Sequence, residues 1–184
     1  LPITIDSHFD DWTSEALQHE DPTGDGSTVD LRRFAVANDE QFLFLRFETQ
    51  EEIHLTDDNA ISIFLDTDNN LNTGKQFNGL GAELEILVGW LTADFFTGST
   101  WKSVSLNDLH FRSQPTVSGN LFEIAIGRNA LPDGLNLLFS GNAIKIAFKD
   151  RSSGGDWMPN AGTVFPFVFD NSPTPSLDLT DLKK

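Results

Sequence analysis

Asp66, Asp68 and Asn70 stand two residues apart in the run I-S-I-F-L-D-T-D-N-N-L-N-T-G, and each can turn a side-chain oxygen toward a cation. Oxygen donors packed this closely suit a hard ion that gathers about six to eight of them, which is calcium. The loop is not an EF-hand. That motif requires glycine at its sixth position and glutamate at its twelfth, where this chain has Leu71 and Phe77. Glu83, just past Gly79 and Gly81, is the carboxylate that could close the shell, and backbone carbonyls near Asn72 could add ligands. The expected metal set is Asp66, Asp68, Asn70, Asn72 and Glu83. The competing reading is a hairpin loop whose Asp and Asn side chains cap their own turns.

Asp21, Asp25 and Asp30, in the turn-rich stretch E-D-P-T-G-D-G-S-T-V-D, form a possible second calcium site. Their spacing follows no specific template, and a solvated acidic loop explains them equally well.

Hydrolytic chemistry finds less support. Glu83 and Glu85 share a strand face, so their carboxyls could stand roughly 6–9 Å apart, a glycosidase-like separation. Two outward glutamates on one strand are commonplace, and no G-x-S-x-G, H-E-x-x-H or G-x-x-x-x-G-K-[ST] accompanies them. His8, His19, His54 and His110 are isolated from one another, which favours surface roles over zinc ligation. The expectation is that the chain is not an enzyme, because each reaction class needs a constellation that is missing here.

Sugar binding asks for flat aromatic faces and a few fixed polar groups. Trp157, Trp101 and Trp90 are the candidate platforms. Trp157 lies in G-G-D-W-M-P-N, where glycine and proline mark a surface loop, and there ligand contact and loop anchoring are equally open. Trp101 begins a strand after Gly98-Ser99-Thr100, with anchoring the stronger reading. Trp90 ends an apolar strand, which favours packing.

These residues need a scaffold, and the pattern that supplies it is period-2 alternation. Ile61, Ile63 and Leu65 share one face, as do Ala82, Leu84, Ile86 and Val88 across the acidic loop. Further strand patterns cover 3–5, 31–37, 41–48, 92–97, 101–106, 109–112, 121–126, 143–149 and 164–169, with a hairpin turn at Asn38-Asp39-Glu40 and a single helical turn at 128–131. Phe42 to Leu45 is apolar on both faces, so that strand should be central. Trp12 is expected in the core, anchoring the N-terminal segment. About ten short strands with little helix predict an all-β fold, an antiparallel β-sandwich of immunoglobulin-like or jelly-roll-like kind. It should span residues 1–170, with 171–184 as a polar, proline-containing tail or linker.

The chain has 184 residues, sixteen of them Phe and none Tyr, enough for one domain with a phenylalanine-filled core. Its net charge of −16 disfavours nucleic acid and anionic membranes, both of which need a basic face. No apolar run is long enough to cross a membrane. With no cysteine, disulfides and thiolate chemistry are excluded. The start, Leu1-Pro2-Ile3-Thr4, is not a signal peptide and reads like a mature or excised terminus. Free calcium abundant enough to fill the loop is an extracytoplasmic condition, so calcium points to a secreted or cell-surface protein.

Three ordered motifs, I-D-S-H-F-D-D-W, A-N-D-E-Q-F-L-F-L-R-F-E, and I-F-L-D-T-D-N-N-L-N-T-G followed by G-L-G-A-E-L, resemble carbohydrate-binding module family 9 and the DOMON-like sandwiches grouped with it. The resemblance runs from about Ile3 to Phe169. It implies an extracellular β-sandwich with structural calcium, a carbohydrate partner, and neighbouring domains in a larger secreted protein. It implies that Asp66, Asp68 and Asn70 belong to the calcium loop. In such modules a pair of tryptophans clamps a terminal sugar. Trp157 falls in the late loop where one partner is expected, and the other is not placed by the motifs. The expected function is non-catalytic carbohydrate binding with calcium as the cofactor. The alternatives are a calcium-dependent structural or adhesion module that binds no sugar, or a haem domain. Haem would need Met158, the only methionine, and a histidine partner that nothing marks.

Overall fold

Alternating apolar residues make each strand amphipathic, and two such surfaces closed on one another form the molecule. The computed structural model of the protein describes residues 2–13 and 16–173. In chain order the strands are β1 (Leu17–Glu20), β2 (Leu31–Asn38), β3 (Phe42–His54), β4 (Ile61–Asp66), β5 (Lys75–Phe77), β6 (Leu80–Ala82) and β7 (Leu84–Leu87). They continue as β8 (Thr92–Phe96), β9 (Trp101–Val104), β10 (Arg112–Ser113), β11 (Ser118–Gly127), β12 (Ala143–Asp150), β13 (Trp157–Met158) and β14 (Phe165–Val168). One sheet has the order β1-β2-β3-β11-β10, with the apolar β3 at its centre as expected. The other runs β13-β12-β4-β7-β8-β9, and β14 shares with β13 the same edge of β12. All pairings are antiparallel.

The core lies between the sheets. Phe47 contacts Phe122 and Phe148 at ring-centre distances of 5.5 and 5.4 Å, and all three are fully buried. Burying each ring contributes about 1.5–3 kcal/mol, so the phenylalanine-rich composition serves the intersheet layer. Met158 is fully buried in the same layer.

Both sheets also carry apolar residues on their outer faces, and each face has its own cover. Over the smaller sheet, Ile3, Ile5, Phe9 and Trp12 pack on Ala35, Phe44 and Ala125. Buried Glu123 ties that segment down, accepting from the Asp6 and Ser7 amides and from the Trp12 indole. Trp12 is thus the expected anchor, but 3–5 lies on the sheet without joining it as a strand. Over the larger sheet, the β5–β6 hairpin lays Phe77 and Leu80 on Phe64 and Ala147, beside Trp157.

Several expected elements differ. The alternating residues from Ala82 to Val88 do not form one strand: Leu80–Ala82 pairs with β5 and Leu84–Leu87 with β4, because the chain changes partners at Glu83, and Val88 begins a 3-10 turn. The alternation in 109–112 belongs to a 3-10 turn, Leu106–Leu109, capped by the Ser105 hydroxyl, and to the short β10. Residues 128–131 make a hydrogen-bonded turn, Ala130 N–H to Gly127 C=O, and no helix. Leu17–Glu20 is a strand the polar sequence L-Q-H-E does not advertise. Among the described residues no helix is long and apolar enough to cross a membrane. Of the expected tail, residues 174–184 lie outside the described residues.

Candidate functional site

β4 ends at Asp66, and the chain then loops over the sheet before returning through β5, β6 and β7. Asp66 and Glu83 are buried at the two roots of this loop, and Asp68 is half-buried above them. One carboxylate oxygen from each lies within 4.8 Å of the others. Two oxygens across a calcium ion stand at most ~4.6–5.2 Å apart, so this spacing fits such an ion.

Some of the donors have local work. Asp66 Oδ1 and Asp68 Oδ1 accept from the Asn70 amide at 3.1 and 2.9 Å, and Asn70 Oδ1 accepts from the Asn72 amide at 3.1 Å. This is the turn-capping behaviour the alternative reading anticipates. Glu83 behaves differently. Its Oε2 accepts from the Thr67 amide at 2.8 Å, while Oε1 is buried with no partner. Burial pushes the carboxyls of Asp66 and Glu83 above their usual range. A buried carboxylate oxygen without a donor is costly, and a cation would satisfy it.

Two glycines let the loop close this tightly. A Cβ on Gly81 would meet the carbonyl oxygens of Thr73 and Asn70 at 2.3 and 2.5 Å. A Cβ on Gly74, which has φ of 65°, would meet the Ala82 carbonyl oxygen at 2.1 Å and Glu83 Oε1 at 2.8 Å. The glycine-rich sequence is thus a condition for bringing carboxylates and carbonyls together.

A second cluster forms where the loop after β1 meets the loop before β13. It joins Asp21, Asp25 and Asp156, again with one oxygen from each within 4.8 Å of the others. Asp21 and Asp25 are two of the three residues expected there. The third, Asp30, turns instead to its own loop, accepting from the Gly24 and Gly26 amides at 2.8 and 3.3 Å. Asp156 comes in its place, with Oδ2 accepting from the Leu31 amide at 2.8 Å. Burial first, then the neighbouring carboxylates, pushes Asp21 up to about 7. The same causes, opposed by the Leu31 amide, bring Asp156 to about 6.

The outer face of the larger sheet holds the aromatic residues. Lys149, Ser62, Leu87 and Thr92 are in register across β12, β4, β7 and β8, and Trp157 continues that row on β13. Trp157 lies beneath Lys149 Nζ, 4.6 Å from the ring centre, and packs 5.3 Å from Phe77. Trp90 stands beyond Leu87 and is 68% exposed, contrary to the packed position expected from its strand. The reason is local: the chain leaves β7 into a 3-10 turn, Val88–Trp90, and reverses at Leu91 in the left-handed region, swinging the indole outward.

Beside Trp90 lies a cleft of about 180 Å³ lined by Asn59, Ser62, Leu87 and Arg151. Arg151 and Lys75 reach buried Glu85 at 3.3 and 3.5 Å, and the Ser62 hydroxyl donates to Glu85 at 3.0 Å. Glu85 therefore anchors these side chains, whereas Glu83 belongs to the loop cluster. Trp101 is apart, on edge strand β9, 40% exposed and 5.6 Å from Phe96. A larger cleft of about 260 Å³ lies around Arg128 and Phe169. There Arg128 covers Phe169 at 4.4 Å and donates to the Asp39 carbonyl and Asn171 Oδ1.

Sequence reasoning reached the tryptophans but missed Asn59, Lys75 and Arg151. The outward alternation of Lys145, Lys149 and Arg151 along and past β12 was the available signal for the last of these.

The chain matches no model of a known protein family, and no curated protein sequence matches it. Solved structures do. A family 9 carbohydrate-binding module from Caldicellulosiruptor kristjanssonii in complex with cellotriose is 14% identical, with a TM-score of 0.51 over 95% of this chain and 94% of that one. A structure of such a module from the same organism in complex with glucose is 13% identical, with a TM-score of 0.50 over the same shares. This chain has the fold of those modules, as its sequence motifs led one to expect.

Proposed function

We propose that the protein is a non-catalytic carbohydrate-binding module that reads sugar on the outer face of its larger sheet. The observation that carries this reading is the cleft at Trp90. A freely exposed indole stands beside Arg151, which buried Glu85 holds together with the buried Ser62 hydroxyl, and beside Asn59, whose amide is fixed by the His54 and Leu55 carbonyls and the Ile61 amide. For such an indole a sugar ring supplies a flat C–H face while its hydroxyls meet the polar rim. Trp157 flanks the same row roughly 14 Å away, three interstrand spacings, leaving room for more than one sugar residue. Neighbours in fold bind cellotriose and glucose, which makes glucose-based oligosaccharides the first ligands to try.

In this reading calcium is structural. Asp66, Asp68 and Glu83 hold it, with Asn70 and carbonyls near Asn72 completing the shell, and the ion fixes the hairpin that covers the sheet. It satisfies Glu83 Oε1, a buried oxygen without a hydrogen-bond partner. A protein that relies on such an ion works where calcium is plentiful, outside the cell.

Isothermal titration with glucose, cellotriose and a wider glycan panel tests the sugar reading. Trp90→Ala is expected to weaken binding about tenfold or more at unchanged melting temperature, with Trp101→Ala close to wild type. Absence of binding across the panel, or full retention in Trp90→Ala, overturns it.

A further inference from the structure

Acidic residues outnumber basic ones 28 to 12 in this chain, yet the outer face of the larger sheet gathers cations. Lys75 comes from the covering hairpin, and Lys145, Lys149 and Arg151 come from β12 and its exit. The carboxylates on the strands of that face are already engaged or set apart. Lys145 reaches Asp66 at 3.9 Å, while Lys75 and Arg151 share the one carboxylate of Glu85 at 3.5 and 3.3 Å. Asp94 lies one strand further on, in register with Glu85.

Two cations are left with unused capacity. Among the described residues the Lys149 ammonium meets no carboxylate, only the Trp157 ring at 4.6 Å. Arg151 uses Nη1 on Glu85, and the rest of its guanidinium has no partner among the described residues. The two side chains leave the same side of the chain two positions apart, roughly 7 Å at strand spacing. Positive groups that close, with less than one counter-charge each, draw an anion between them.

We propose that the sugar read on this face is acidic, a uronic acid residue whose carboxylate is taken by Lys149 Nζ and the open edge of the Arg151 guanidinium. This rests on the carbohydrate reading above and names the class of ligand. The planar guanidinium fork matches a carboxylate, and buried Glu85 holds it in place before the ligand arrives. An equatorial carboxylate at C6 lies at the rim of a ring that stacks on an indole, so one sugar uses both the aromatic row and the cations.

Isothermal titration with cellotriose and with the β-1,4-linked glucuronic acid trisaccharide, which differ only at C6, tests the class of ligand. At low ionic strength the acid is expected to bind about tenfold tighter or more, and the margin should shrink as salt rises toward about 0.5 M. Lys149→Gln should bring the two affinities within about threefold, and Lys149→Arg should restore the margin. A role for Lys149 in packing Trp157 alone would move both sugars together, and circular dichroism checks that the variants are folded. Cellotriose or another neutral glycan bound as well as the acid, or an undiminished margin in Lys149→Gln, overturns this assignment and leaves the carbohydrate reading standing. Silence across the whole glycan panel, acid included, overturns that reading and this assignment with it.

Discussion

The cluster at Asp66, Asp68 and Glu83 is folded from one stretch of chain, whereas that at Asp21, Asp25 and Asp156 is assembled from two loops far apart. Each brings three carboxylates within 4.8 Å of one another and leaves one buried oxygen unpartnered. They differ in how the repulsion is borne. In the first, backbone amides of Thr67, Asn70 and Gly81 donate to the carboxylates, and Lys145 stands 3.9 Å from Asp66. In the second, the Leu31 amide serves Asp156 and a half-buried His19 faces Asp21. A locally built site can supply its own amide dipoles, because its loop is designed around it. A site assembled across the fold has fewer such donors, and the imidazole it offers is a poor counter-charge because burial holds His19 below its ordinary range.

That contrast can be broken in four ways. The largest effect is expected at the hairpin. With calcium 100-fold above its dissociation constant, binding stabilises by about 2.7 kcal/mol, so Asp66→Asn or chelation should lower the melting temperature by about 5–10 °C. Scanning calorimetry with and without calcium checks this, and an unchanged temperature removes the ion from the hairpin.

Next comes the backbone frame. Gly81→Ala forces a methyl against three loop carbonyls and should cost about 1–3 kcal/mol, measurable by urea unfolding. A neutral result would mean that the loop does not press on the return strand.

The third effect is a pH dependence, of one sign in both clusters and followed here at the second. Asp21 titrates near 7 and Asp156 near 6 in the fold, against an ordinary 3.8. The folded state therefore holds protons that the unfolded chain has released. Metal-free protein should lose stability as pH rises from about 4 to 7, with Asp25 and Asp30 as the neighbouring charged groups and His19, held below its ordinary range by burial, beside them. Asp156→Asn should flatten that slope. A stability that climbs over the same interval contradicts the crowding.

The smallest effect separates Asp30 from the cluster. Because its carboxylate serves the Gly24 and Gly26 amides, Asp30→Asn should cost about 0.5–1.5 kcal/mol and leave calcium uptake unchanged. Loss of an equivalent in this variant would restore Asp30 as a ligand.

The same contrast explains what could be read in advance. Alternation exposed most strands and the central place of β3, because burial on one or both faces imprints period-2 patterns. The hairpin cluster was legible because Asp66, Asp68 and Glu83 lie within one short stretch of chain. Asp156 was not, because it meets Leu31 only through folding, 125 positions away in sequence. Trp90 was misjudged for a related reason: its strand pattern is apolar, but the turn that ends the strand reverses the direction of the side chain. Short polar β1 joins the sheet through backbone pairing with β2, which no side-chain period records.

Asn78, at the tip of the covering hairpin, donates to the Thr163 carbonyl and accepts from the Gly162 amide. Those residues bridge β13 to β14, the two strands that share one edge of β12. The hairpin and the bridge cannot part from the sheet independently: lifting one strips the other and wets the phenylalanines beneath. Breathing motions on this side of the molecule are therefore cooperative, and whatever quiets the hairpin also quiets the strand that carries Trp157.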